Sequence, residues 1–286
     1  MTAPVSEEER DKIADLRREI AELTARVEVR EGRITQLVGE ALDRDSELRD
    51  LQAMRDVLAP ADHPARPGVE FECAFAPSLD GVAGDFYLVA PGPDDDSTVL
   101  AVGDVSGKGL EAARRATFVR TSLATFAGFV DDPCQLLELS NQVLVERTGI
   151  SSTFVTAVAA VLHPREGRLT WASAGHPPPL RLDTGEVLNG ARSSPPLGVT
   201  ASLTCNAGRA QLDPGAGLLL YTDGVTEAHR PRRELYGERR LSAALREVAG
   251  LEPAAVVRRL LSDLDAHAGG ALSDDLCIVA ARVQST

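Results

Sequence analysis

VLAVGDVSGKGLEAA, residues 99–113, runs an apolar strand into Asp104, turns through Ser106-Gly107-Lys108-Gly109 and opens a helix near Leu110. A glycine-rich strand-to-helix turn invites three functional readings. As a phosphate-cradling P-loop it fails, because Val102 stands where the first glycine belongs and Gly109 where Ser or Thr must follow the lysine. As a dinucleotide fingerprint, Gly107-x-Gly109-x-x-Ala112 fits formally, with Asp131 about 20 residues on. That fold needs a strand after the helix, and a second helical stretch follows here instead. Two readings remain. One is a structural glycine turn. The other is a cation site in which Asp104 is a ligand and the glycines let backbone groups approach ion and phosphate.

Three further segments set acids against apolar runs: VAGDFYLV at 82–89, LLLYTDG at 218–224 and LSDDLCIVAARV at 272–283. Asp104 and Asp223 close their runs, whereas Asp85 and Asp274 open theirs. In an antiparallel sheet the end of one strand lies beside the start of its neighbour, so all four carboxylates can share one edge. Such a cluster stays ionised only when cations neutralise it. Oxygen-only ligands suit Mg²⁺ or Mn²⁺, which points to metal-assisted hydrolysis. Adjacent strand residues face opposite ways. Asp274 is therefore taken as the direct ligand, and Asp275 as a residue that orients its neighbours or binds through water.

Taken singly, these features have plainer readings. Asp223-Gly224 is an ordinary turn dipeptide, and Glu227 reads as a solvated charge. In AGHPPPL, residues 174–180, His176 reads as a structural histidine in a Gly-Pro turn. His63, His163, His229 and His267 show no ligand spacing, and there is no GxSxG or HExxH motif.

The chain has 286 residues and a net charge of -13. That charge excludes nucleic acid or an anionic membrane as the main partner. No apolar stretch reaches transmembrane length, and the start, MTAPVSEEER, is unlike a signal peptide, so a cytoplasmic location is expected. Cys73, Cys134, Cys205 and Cys277 are widely spaced and form no CxxC pair. Free thiols in a reducing compartment are expected rather than a disulfide framework or a zinc site.

Residues 1–58 hold 25 charged side chains. Apolar residues recur there at alternating steps of three and four. Position a carries Ile13, Ile20, Val27, Ile34, Ala41, Leu48 and Arg55, and position d carries Leu16, Leu23, Arg30, Leu37, Arg44, Leu51 and Leu58. β-Branched residues at a with Leu at d predict a parallel two-stranded coiled coil, hence a homodimer through residues 13–58. The seam arginines weaken its C-terminal half and suit a helix that responds to an upstream regulator. APADHPARPG, residues 59–68, is a linker whose three prolines stop the helix. From residue 69 to 286 the pattern is globular. Strands are expected at VEFECAFAP, DFYLVAP, STVLAVGDV, STFVTAVAAVLH and GRLTWASAG, then near 179–183, 202–212, 216–222 and 275–283. Helices are expected at GLEAARRATFVRTSLATFAGF and PCQLLELSNQVLVERTG, then near 238–249 and 253–267. This order indicates an α+β domain whose helices cover antiparallel sheets.

Taken in order, AGDFY, GDVSGKGLEAA, STFVTAVAAVL, AGHPPPL, PPLG, LLLYTDGVTEA and SDDLCIV resemble the SpoIIE/RsbU branch of the PPM-type (2C-like) metal-dependent serine/threonine phosphatases, over roughly residues 69–283. The resemblance implies a four-layer α-β-β-α sandwich of antiparallel sheets with two Mn²⁺ or Mg²⁺ ions at one end. Carried over, Asp104 bridges the ions and the Val105 carbonyl is a further ligand. Asp223 and Asp274 complete one ion, and Asp85 serves the other, partly through water. The chain departs from the family in the first motif, where Ala83 and Leu88 replace a glycine and an aspartate. Ser106 stands where eukaryotic relatives carry a histidine.

The resemblance implies hydrolysis of phosphoserine or phosphothreonine on a regulatory protein, a STAS-type anti-sigma-factor antagonist in a partner-switching pathway. Two other classes compete: a phosphatase-like scaffold that binds a partner through the coil, and a metal-dependent hydrolase of small phosphate esters.

Overall fold

In a computed structural model, residues 30, 33, 36–39, 58, 64–76, 84–229, 234–269 and 275–284 are described. The chain divides into two units, residues 1–52 and 53–286. In the first, Arg30, Arg33 and residues 36–39 are helical and exposed, and Arg33 Nη1 donates to Gln36 Oε1 at 3.0 Å. Of the expected coil seam only Arg30, Leu37 and Leu58 fall among the described residues; the other positions lie outside them.

The second unit is built on strands that are apolar almost without interruption. Strand β3 (Thr98–Val105) lies between β2 (Phe86–Pro91) and β4 (Val155–His163), followed by β5 (Arg168–Ala174) and β7 (Gly208–Gln211). The other sheet is ordered β1 (Val69–Ala76), β9 (Leu276–Val283), β8 (Gly217–Tyr221) and β6 (Leu180–Arg181). All pairings between these strands are antiparallel. Antiparallel strands usually alternate because one face meets water. Here both faces are covered, so both parities are apolar.

The two parities feed different layers. Leu100 and Val102 of β3 pack with Trp171, Leu218, Leu220, Cys277 and Val279 between the sheets. Val99, Ala101 and Val105 face α1 (Leu110–Ala127) and α2 (Pro133–Thr148), beside Ala116, Val119, Leu123 and Leu137. Leu58, 1% exposed, belongs to this same layer. Beyond the short α3 (Asp223–Thr226), on the far side, Leu219, Ile278 and Ala280 pack against α4 (Gly237–Glu247) and α5 (Pro253–Ala268) through Leu241, Leu245, Val257 and Leu260. The result is the expected four-layer α-β-β-α sandwich.

The helix starts and stops follow from the sequence. Asp132 caps α2 by accepting from Cys134 N at 2.8 Å, with Pro133 in the first turn, where its missing N–H costs nothing. Gly269, at φ 80°, ends α5 in the left-handed conformation. The strand expected at 202–212 is confined to Gly208–Gln211. Its first part is committed to α2 instead: Leu203 N donates to Glu138 Oε2 at 2.7 Å, and Cys205 is disulfide-bonded to Cys134. That bond corrects the expectation of four free thiols, since only Cys73 and Cys277 are free. The pair is 71 residues apart in sequence, and only the packing of α2 brings it together.

Candidate metal centre

Four strand ends meet at one end of the sandwich. Asp104 is the penultimate residue of β3 and pairs with Thr156 of β4. Phe86 pairs with Gly103, so Asp85, one residue before β2, falls beside Asp104. In the other sheet, Tyr221 pairs with Ile278, which sets Thr222 beside Cys277 and brings Asp223 and Asp275 to the same end. Asp85 and Asp104 share parity with the interlayer residues Tyr87 and Val102, and Asp275 shares it with Cys277 and Val279. Their backbone positions therefore direct them toward the layer between the sheets.

The carboxylates are electrostatically one group. Asp85 is 2% exposed. Burial pushes its pKa well above the usual carboxylate range, and the charges of Asp104, Asp275 and Asp223 push it the same way. The one opposing influence is Thr222, whose hydroxyl donates to Asp85 Oδ2 at 2.6 Å. That hydroxyl also accepts from Cys277 N–H at 2.9 Å, so its own proton is directed at Asp85. Thr222 N donates to Cys277 O at 3.0 Å, which locks the pair of strand ends. Asp275 Oδ2 accepts from Gly84 N at 3.0 Å and so ties the loop before β2 to the opposite sheet.

Glycines hold the space open. A Cβ on Gly84 would lie 3.0 Å from the Val105 carbonyl oxygen and 3.1 Å from Asp104 Oδ1. The bare backbone there keeps a side chain off two of the expected ligand oxygens. A Cβ on Gly103 would overlap the Phe86 ring, and one on Gly224 would overlap the Asp275 carbonyl. Gly107 and Gly109 adopt φ 101° and 91°, which turn the chain from β3 into α1. Ser106 completes that turn: its hydroxyl accepts from Phe154 N at 2.8 Å and its N–H donates to Phe154 O at 2.9 Å.

His176 stands behind the centre as a bolt between the sheets. Its Nε2–H donates to the Tyr221 carbonyl at 3.0 Å, and its Nδ1 accepts from the Thr156 hydroxyl at 2.9 Å. A carbonyl can only accept, which assigns the neutral Nε2–H tautomer. Burial agrees, pushing the pKa down to about 4.

Asp85, Asp104 and Asp223 thus converge with Asp275, and the Val105 carbonyl lies at the same edge. Asp274 lies outside the described residues. Thr222, Gly84 and the bridging role of His176 escaped the sequence reading. Thr222 had a signal: it falls on the inward parity of Leu218 and Leu220, where a polar residue needs a partner. Asp94, Asp131 and His163 form a separate group, with His163 Nε2 2.7 Å from Asp131 Oδ1. His163 ends β4, seven residues beyond Thr156, so this group belongs to the opposite end of the strand.

The donor chemistry of the first cluster fits hard divalent cations. It offers carboxylate oxygens from both sheets and a backbone carbonyl, beside a glycine that places no side chain against them. Gathering four like charges, of which those of Asp85 and Asp275 are buried, is unfavourable without compensation, and a cation reverses that sign.

A family model described as stage II sporulation protein E (SpoIIE) matches residues 94–284. Protein IcfG of Synechocystis sp. is 27% identical over 242 residues, covering 74% of this chain and 37% of its own length. The phosphoserine phosphatase RsbU of Bacillus subtilis is 28% identical over 148 residues, covering 51% of this chain and 43% of its own length. The chain thus spans about two fifths of the length of these curated relatives. Among solved structures, the SiaA-PP2C domain of Pseudomonas aeruginosa superposes with a TM-score of 0.70 at 22% identity, covering 85% of this chain and 98% of that one. With its two antiparallel sheets, its flanking helices and a family match over more than half its length, the chain belongs to the SpoIIE family of PPM-type phosphatases.

Proposed function

We propose that this chain is a metal-dependent protein serine/threonine phosphatase. The observation that carries the reading is the convergence of Asp85, Asp104, Asp223 and Asp275 from four strand ends. Asp104, Asp223, Asp274, Asp85 and the Val105 carbonyl would hold two Mn²⁺ or Mg²⁺ ions. When bound, these ions acidify water and neutralise charge on a phosphoryl group, which suits in-line hydrolysis of a phosphoserine or phosphothreonine ester.

The chain's own residues prepare that chemistry. Thr222 opposes the upward shift of Asp85 and favours its ionised, cation-binding form. Asp275 fixes Gly84, and with it the approach to Asp104. His176 stays neutral and holds Thr156, the strand neighbour of Asp104, against Tyr221, two residues before Asp223.

The substrate we infer is a phosphorylated STAS-type anti-sigma-factor antagonist, in a cytoplasmic partner-switching pathway. The net charge of -13 disfavours nucleic acid as a partner. The coil expected over residues 13–58 dimerises the chain through its seam positions up to Leu51 and offers a surface to an upstream regulator, whereas its last seam position, Leu58, is taken into the core of the larger unit. The heptad pattern supports this, as does Leu37, a seam residue that is 47% exposed in the single chain.

The test is dephosphorylation of candidate phospho-STAS proteins with and without Mn²⁺. Asp104→Asn should reduce turnover by more than roughly 100-fold, the upper range seen on losing outer-shell partners, with an unchanged circular dichroism spectrum. Turnover close to that of the parent at saturating Mn²⁺ would refute the assignment.

A further inference from the structure

We propose that Cys134 and Cys205 form a reversible thiol–disulfide site that sets how firmly α2 grips the segment 193–204. One face of α2 makes three attachments to the chain leading into β7. Cys134 is bonded to Cys205. Glu138 Oε2 accepts from Leu203 N at 2.7 Å. Asn141 accepts from Gly198 N at 2.9 Å and donates to the Thr200 carbonyl at 3.1 Å. Positions 134, 138 and 141 follow the four- and three-residue spacing of a single helix face. The same segment is pinned at its other side, where Leu197 and Val155 exchange backbone hydrogen bonds of 2.8 and 3.0 Å. Val155 pairs with Val105, the residue after Asp104. The covalent attachment is therefore one of several that seat this segment against the edge bearing the metal centre.

The position of the pair suits exchange rather than permanent burial. Both cysteines are half-buried and line an open cleft of about 520 Å³ with Asp132, Asn206, Ala207 and Arg209, wide enough for a small disulfide to enter. Cys134 sits in the first turn of the 16-residue helix α2, where the N-terminal partial charge favours a thiolate and the capping carboxylate of Asp132 opposes it. The other two cysteines differ: Cys277 is buried, burial pushes the thiols of Cys73 and Cys277 upward, and both remain thiols.

The chemistry is thiol–disulfide exchange with a low-molecular-weight disulfide, RSSR. The Cys134 thiolate attacks one sulfur, forming a mixed disulfide and releasing RS⁻, which takes up a proton. The Cys205 thiolate then attacks the Cys134 sulfur and expels the second RSH. Two cysteine thiols are oxidised and one RSSR is reduced to two RSH. In a reducing cytoplasm, the location inferred above, such a bond is transient and reports the thiol pool.

The experiment uses the full chain equilibrated with glutathione and glutathione disulfide over a range of ratios. Thiols are counted in denaturant by mass-shift labelling. Two should appear at the oxidising end and four at the reducing end, with the change mapped to Cys134 and Cys205. Amide hydrogen exchange is read in the same samples. Reduction should speed exchange at Leu197, Gly198 and Leu203 on the order of tenfold, as expected for a local opening, while the β9 amides stay unchanged. Cys134→Ser with Cys205→Ser should exchange like the reduced form in every buffer. Four thiols throughout, two thiols throughout, or equal exchange in both states would each overturn the proposal. None of these readings depends on phosphatase activity. A rate difference between the two forms on p-nitrophenyl phosphate therefore tests the link to catalysis separately.

Discussion

Replacing His176 with Phe keeps a ring in the interlayer and removes both hydrogen bonds that join the sheets. The hydroxyl of Thr156 and the carbonyl of Tyr221 would each lose a buried partner. A stranded buried group costs about 1–3 kcal/mol, so the pair should cost roughly 2–6 kcal/mol. For a unit of this size that lowers Tm by roughly 4–24 °C. The sign of the pH dependence gives an independent readout. Burial holds the folded-state pKa of His176 at about 4, below the ordinary histidine value of 6.5. The unfolded chain therefore binds the proton more tightly, and stability falls as pH drops through the window between these values. From pH 7.5 to pH 5 the parent should lose about 2 kcal/mol from this residue alone, and the variant should lose none of it. Urea denaturation of both proteins at the two pH values measures the difference directly. If His176→Phe melts within about 2 °C of the parent, or if the pH-dependent loss is the same in both, the bridge does not hold the sheets as argued.

Three further outcomes follow from the same geometry. Gly103→Ala should destabilise the 53–286 unit by about 1–3 kcal/mol or more in urea denaturation, because its Cβ would overlap the Phe86 ring and lie 2.7 Å from the Thr156 carbonyl; a neutral effect would mean that β2 and β3 pack more loosely than described. Thr222→Val should lower turnover by roughly 10–100-fold, and Thr222→Ser should restore most of it, since the hydroxyl that serves Asp85 is what matters; equal rates in the two variants would deny that role. Removing residues 1–52, a cut that leaves Leu58 in its core, should turn a dimer into a monomer by light scattering. A dimer that survives truncation would place the interface in the larger unit.

Much of this arrangement was legible because the strands announce themselves twice. Runs such as VLAV and LLLY are apolar at both parities, the mark of strands covered on both faces, and each ends at an acid. Antiparallel pairing then leaves few ways to arrange Asp85, Asp104 and Asp223 except at one edge. The helices were equally plain, and α2 and α5 begin at their prolines. What stayed hidden depends on partners from distant parts of the chain. Thr222 reads as filler until Asp85 is set 137 residues away across the interlayer. His176 looks like a turn residue until Thr156 and Tyr221 arrive from opposite sheets. The bond between Cys134 and Cys205 has no local spacing to betray it. Residues 202–207 have a strand-like composition, and tertiary anchoring to α2 overrides it.

The candidate metal centre has no home in either sheet alone. Asp85 and Asp104 ride on one, Asp223 and Asp275 on the other, and the gap between them is set by whatever fills the interlayer. The sandwich therefore works as a calliper. Its jaws are the two pairs of acids, and its setting is fixed by small residues such as Ala160 and Ala281, both fully buried between the sheets. Sheets stack about 10 Å apart, and side-chain size adjusts that spacing. A larger side chain at either alanine would open the jaws from a distance, without touching an acid. The spacing of the four acids is written in the volume of residues that carry no chemistry at all.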